Sequence, residues 1–115
     1  MEVVIDTNMM MERNILEQAR KFGTPIILSS VIEELKRLSK GTGKNARKAK
    51  LALEIIGKKK MSIVMTNKRG DNAILDYARD NRCTVATNDK ELLKTLKEKE
   101  IMVLRLRQGK YLVED

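Results

Sequence analysis

The sequence predicts an α/β fold, a three-layer α/β/α sandwich around a central parallel sheet of about five strands. Three observations lead there. Short, β-branched apolar runs alternate with amphipathic helical stretches along the whole chain. The first run, Val3-Val4-Ile5, has no polar position between its apolar ones, as expected of a strand buried on both faces. A length of 115 residues suffices for one hydrophobic core and leaves no room for a second, so residues 1–115 read as a single domain.

Taken in order, the first strand ends abruptly in Asp6-Thr7-Asn8. In open α/β sheets the ligand crevice lies outside the carboxyl ends of the strands, which puts Asp6 at the rim of a site; Asp6 equally suits the N-cap of the next helix. Met9 to Phe22 reads as one long helix closed by Gly23 at the C′ position. Its Met9-Met10-Met11 run is core or the surface of a homodimer. Thr24-Pro25 opens the second strand, Ile26-Ile27-Leu28. Ser29 and Ser30 offer an N-cap to a helix whose Val31, Leu35 and Leu38 recur at helical spacing. Lys40 to Lys44 is the clearest break, followed by a helix from Asn45 to Ile56 that Gly57 ends. Met61 to Met65 is the third strand, Asp71 to Asn81 a helix and Thr84 to Ala86 the fourth strand. A helix from Asn88 to Lys97 starts with a capping box of Asn88 and Glu91. Ile101 to Leu106 is the fifth strand, and Gln108-Gly109-Lys110 turns the chain back into a short final one, Tyr111 to Val113.

Composition narrows the chemistry. There is no histidine and one cysteine, Cys83, which excludes an internal disulfide, the usual zinc sites and every Ser-His or Cys-His dyad. Whatever reaction runs here runs on carboxylates. No apolar run approaches the ~20 residues that span a bilayer, and the charged start does not read as a signal peptide, so a cytoplasmic protein without a membrane partner is expected. The 24 Lys and Arg against 16 Asp and Glu leave +8, with a pI near 9.7, which suggests a polyanionic partner. That excess is local. Between Lys36 and Lys60 ten basic residues face the single acid Glu54. Lys36, Arg37, Lys40, Lys44, Arg47, Lys48 and Lys50 are expected to hold nucleic-acid phosphates. Gly41-Thr42-Gly43-Lys44 lacks the spacing of a phosphate loop. One Phe, two Tyr and no Trp leave few platforms for stacking bases.

Residues three and four apart on a helix share a face, which sorts the acids. Glu34 groups with Val31 and Leu38, whereas Glu33 groups with Ser30 and Arg37. Asp71 precedes Ile74 and Leu75 at this spacing, and Asp89 precedes Leu92, Leu93 and Leu96. Each of three helices therefore sets one acid on or beside its apolar stripe. Asp71 and Asp89 also suit first-turn positions, where a carboxylate favours the helix dipole. With Asp6 they form a set, because Asp6, Asp71 and Asp89 all follow the carboxyl ends of strands and so share one edge of a parallel sheet. Four carboxylates without histidine or cysteine make an oxygen-only site suited to Mg²⁺ or Mn²⁺. Two such ions can activate water and stabilise the leaving oxygen of a phosphodiester, which is nuclease chemistry.

Four ordered motifs carry a resemblance over nearly the full length: Ile5-Asp6-Thr7-Asn8, Val31-Ile32-Glu33-Glu34-Leu35, Gly70-Asp71-Asn72-Ala73-Ile74 and Val85-Ala86-Thr87-Asn88-Asp89. In these the chain resembles the PIN domains, small metal-dependent ribonucleases with a three-layer α/β fold. The resemblance implies that Asp6, Glu34, Asp71 and Asp89 hold the metal ions, with Thr7 or Asn8 and Thr87 supporting the first and last acids. It is most similar to the branch acting in ribosomal RNA maturation, in which the third motif usually carries two adjacent aspartates; here the second is Asn72, beside Asp71. The toxin members of toxin-antitoxin pairs share the four-acid scheme. The leading expectation is thus a Mg²⁺- or Mn²⁺-dependent endoribonuclease acting in RNA processing. Its competitors are an RNA-binding or assembly protein without turnover, and a toxin neutralised by a protein partner.

Overall fold

Val3, Val4 and Ile5 are completely buried, and the strand they form, β1 (Glu2–Ile5), lies inside the sheet with a neighbour on each side. The computed structural model describes all residues from 1 to 115. The remaining elements follow in order: α1 (Thr7–Met10), α2 (Ile15–Arg20), β2 (Thr24–Leu28), α3 (Ser29–Ser39), α4 (Lys44–Lys58), β3 (Ser62–Val64), α5 (Gly70–Asn81), β4 (Thr84–Ala86), α6 (Lys90–Glu98), β5 (Val103–Arg107) and β6 (Tyr111–Glu114). The sheet order is β3-β2-β1-β4-β5-β6. The first five strands are parallel and β6 returns antiparallel to β5 at the edge. The expected α/β sandwich is therefore present, with six strands once the short returning one is counted.

The strand order decides where a site sits. From β1 the chain moves outward through β2 to β3, then returns across β1 to β4 and β5. At such a reversal the loops leaving neighbouring strands part in opposite directions and leave a crevice at the strands' carboxyl ends. Here the crevice opens beyond Ile5 and its partner Ala86. Helices α2 and α3 pack on β2, α5 on β4 and α6 on β5, enclosing one apolar cluster of 27 buried residues. No helix is long and apolar enough to cross a membrane.

Local chemistry departs from expectation at five places. The stretch from Met9 to Phe22 is two short helices rather than one long one, broken at Asn14 in the left-handed region at φ 56°. At about 100° per residue a continuous helix would carry Ile15 some 240° round from Met9. The break lets Met9, Met10, Ile15 and Leu16 all reach the core, and Asn tolerates the left-handed conformation it needs. Met9 and Met10 are thus core, with Met11 packed against it. Gly23 is no left-handed cap: an added Cβ would stand 2.3 Å from the Met1 carbonyl oxygen, which accepts the Thr24 N–H at 2.8 Å. Close backbone approach, not helix termination, requires glycine there. Gly57 lies inside α4, which runs one residue further and closes through Lys60 at φ 49°. Neither serine caps α3; Leu28 holds the N-cap position, and the Ser29 hydroxyl instead accepts the Thr66 N–H at 2.9 Å. Asp89, not Asn88, caps α6, taking the Leu92 N–H at 3.0 Å, while Asn88 accepts the Leu106 N–H at 2.9 Å.

The two glycines predict opposite responses to alanine. Gly23→Ala, forced against backbone, should lose about 1–3 kcal/mol of folding stability. Gly57→Ala, with open space around an added Cβ in a helix, should gain about 0.5 kcal/mol. Chemical denaturation of both variants checks this, and a neutral Gly23→Ala would contradict the close approach.

Candidate active site

The crevice at the strand reversal is a cleft of about 120 Å³ whose walls include Asp6, Glu34, Asp71 and Asp89 and not one Lys or Arg. Four separate connections deliver these acids. Asp6 follows β1, Glu34 lies one turn into α3 after β2, Asp71 opens α5 after β3, and Asp89 opens α6 after β4. Thr7, Asn8, Ser30 and Gly70 complete the lining apart from the apolar Val31 and Ile74.

The sheet register explains the tightest contact. Asp6 and Thr87 each stand one residue past the Ile5–Ala86 pair, so their side chains meet at the mouth. The Thr87 hydroxyl donates to Asp6 Oδ2, and its oxygen accepts the Asp89 N–H at 3.1 Å. Asp6 Oδ1 accepts the Met9 N–H at 2.8 Å, capping α1. Cap and rim are therefore the same residue: Asp6 closes the start of α1 and stands at the mouth of the cleft. Asp89 likewise caps α6 through one oxygen while facing the cleft. Every buried side-chain polar atom has a partner.

Thr7 donates its hydroxyl to Glu34 Oε2 at 2.9 Å, so it steadies the second acid rather than the first. Glu34 is half-buried and Glu33 exposed, as their helical faces require. Asn8 is exposed on the lining. Asp71 is exposed too, opening onto the cleft rather than into the core, and Asn72 faces solvent outside the cleft. Of the adjacent pair, the structure brings only Asp71 to the other three acids. The basic residues Lys36, Arg37, Lys40, Lys44, Arg47, Lys48 and Lys50 are all exposed along α3, α4 and their connection, and only Arg37 stands beside the cleft.

The electrostatics are those of crowded like charges. Burial pushes the Asp6 carboxyl above its usual 3.8; the Thr87 and Met9 hydrogen bonds oppose this, and the charges of Asp89 and Asp71 add to it. The Asp71 carboxyl is also raised, by partial burial and then by Asp89, Glu91 and Glu34. The one cation paired with any of these acids is Arg37, 3.7 Å from Glu34 and largely in solvent, too distant for a hydrogen bond. This donor set, all oxygen and unneutralised, fits a hard divalent cation. No three of the acids surround a common point in this arrangement; Asp6, Glu34 and Asp89 are held by the hydrogen bonds above, and Asp71 makes none.

Two residues of the site region lay outside the sequence expectations. Ser30 lines the cleft from the first turn of α3, and Arg69, directly before Gly70-Asp71, flanks the adjoining groove. Position was the available signal, since both follow the carboxyl ends of strands.

The sign of the pH dependence follows. Asp6 and Asp71 bind protons more tightly folded than unfolded, so their contribution rises as pH falls from the raised values toward 3.8, and their full cost is present above that window. The Thr87 hydroxyl acts on ionised Asp6. Thr87→Val should therefore cost about 1–3 kcal/mol at pH 7. The deficit should shrink as pH falls and Asp6 takes up its proton, which urea denaturation in chelator at several pH values checks. A deficit independent of pH would contradict the assigned partner.

A family model described as a PIN like domain matches residues 3–109. Ribonuclease VapC4 of Methanocaldococcus jannaschii is 44% identical over 90 residues, covering 75% of this chain and 68% of that protein. Ribonuclease VapC9 of Archaeoglobus fulgidus is 32% identical over 115 residues, covering 93% of this chain and 84% of that one. Among solved structures, the PIN domain endonuclease Utp24 superposes at a TM-score of 0.77 with 24% identity over 99% of this chain and 93% of that one, a likeness of fold. The cleft therefore lies in a recognised framework: the chain belongs to the PIN-like domain family.

Proposed function

We propose that this protein is a nuclease of the endoribonuclease type that requires Mg²⁺ or Mn²⁺ and hydrolyses RNA phosphodiester bonds. The observation that carries the reading is the meeting of four carboxylates from four separate connections in one cleft without a Lys or Arg on its walls. The names of the two sequence relatives support ribonuclease activity.

In this reading Asp6, Glu34, Asp71 and Asp89 hold the cation. A cation held there would supply neutralisation of the phosphate charge and activation of a water. The chain's own contribution is to fix the acids. Thr87 holds Asp6 through Oδ2 and the start of α6 through the Asp89 N–H, while Thr7 fixes the Glu34 rotamer. With no histidine, no imidazole serves as base. Basic side chains along α3 and α4 hold the RNA backbone outside the cleft and carry little sequence information.

A second reading concerns role rather than chemistry. The names of both sequence relatives favour a toxin ribonuclease held inactive by an antitoxin protein, against the ribosomal RNA maturation expected from the motifs. Growth arrest on expression of the wild type, absent with an inactive variant, supports the toxin role.

The chemistry is tested by incubating purified protein with a structured RNA in Mg²⁺ or Mn²⁺. Asp6→Asn keeps the helix cap and should lower the rate at least about a hundredfold, since even supporting residues of metal sites cost 10–100-fold. Equal cleavage by wild type and variant in both metals would overturn the assignment.

A further inference from the structure

A second groove, of about 320 Å³, adjoins the acid cleft and shares Ser30, Glu34 and Gly70 with it. Its other walls are Glu33, Arg37 and Arg69. The two guanidinium groups come from different elements, α3 and the connection between β3 and α5, and both line the groove that shares Glu34 with the cleft. Arg69 makes no ion pair, whereas its neighbour Lys68 is taken by Asp76. Arg37 has only its loose pair with Glu34, whose other oxygen is held by Thr7.

The backbone between the two grooves is specialised. Gly70 adopts φ 60°, a left-handed conformation costly to other residues, and the residues on either side of it serve different walls: Asp71 the acid cleft, Arg69 the neighbouring groove. The connection bearing Arg69 is also fastened. The Thr66 N–H donates to Ser29 Oγ at 2.9 Å, tying this connection to the first turn of the helix that carries Arg37. The serine that was expected to cap α3 instead ties together the two elements that carry the arginines.

An all-acid cleft repels the phosphodiester it is meant to cleave, so a strand entering it needs cationic contacts immediately outside. Paired guanidinium forks suit a phosphate, which they can engage with parallel hydrogen bonds. We propose that Arg37 and Arg69 together clamp one non-scissile phosphate of the RNA strand beside the cleft, setting the register in which the strand enters it. This deepens the nuclease reading and rests on it. Arg69 is a positioning residue here, separate from the basic surface of α4.

The test uses the full chain and a twelve-nucleotide oligouridylate, with binding read by fluorescence anisotropy in chelator across a range of potassium chloride. Arg69→Ala and Arg37→Ala should each weaken binding about five- to tenfold and reduce the log-log salt slope by about 0.7, with unchanged melting temperature. In cleavage assays Arg69→Ala should raise KM and leave kcat unchanged. Ser29→Ala, which cuts the tie but touches neither arginine, should lose part of the contribution of Arg69 and none of that of Arg37. Oligonucleotides neutralised at one phosphate at a time by methylphosphonate then locate the contact. One position should abolish the effect of both arginine variants. If wild type binds and cleaves RNA but the variants match it, or their effects map to different phosphates, the clamp is wrong and the nuclease reading stands. If wild type neither binds nor cleaves RNA in any metal, both fall.

Discussion

The buried carboxylate of Asp6 is the constraint on which the rest of the structure depends. It stands at the carboxyl end of an inner strand, where desolvation alone opposes its charge, and the fold then brings Asp71 and Asp89 close enough to oppose it further. A fold that assembles such a cluster gives up stability locally, and two hydrogen bonds to Asp6 offset part of that loss. Acids crowded around one buried carboxylate are costly as architecture and well suited to binding a cation.

The polar groups around the acids behave as a scaffold rather than as reactants. Thr87 joins Asp6 to the start of α6, Thr7 joins α1 to α3, and Ser29 joins α3 to the connection before α5. Three hydroxyls thus link the loops that leave different strands, and the sheet register fixes which residues meet. Charge is divided with equal economy of means: acids line the cleft, and most of the positive excess lies on exposed faces of α3 and α4 outside it.

Much of this was legible in the residues. Alternating apolar runs gave the strands because their periodicity reflects burial, and the shared strand-end position of Asp6, Asp71 and Asp89 foretold one edge of the sheet. Helical spacing separated Glu34 from Glu33 because the face of a helix is set within a single turn. What was not legible depended on contacts distant in sequence. Asn14 breaks the first helical stretch because two apolar pairs must reach one core, and Gly23 is needed for the neighbouring Met1 backbone rather than for its own helix. Ser29 looks like a cap until Thr66, 37 residues away, claims its oxygen. Asp89 displaced Asn88 as the cap because Asn88 is engaged by β5. Arg69 carried no periodic signal, and only its place beside Asp71 marks it.

The most direct test of the central claim, that these carboxylates are a strained cluster awaiting a cation, is the melting temperature of wild type and Asp6→Asn at pH 7 with and without Mg²⁺ or Mn²⁺. A ligand that binds only the folded form adds about 2.7 kcal/mol at a hundredfold excess over its dissociation constant, so the wild type should melt substantially higher with metal. Asparagine keeps the cap and removes the buried charge; it should raise the melting temperature in chelator and diminish the shift produced by metal. A variant that is destabilised in chelator yet retains the full metal shift would show that Asp6 serves the helix alone, and would contradict the account.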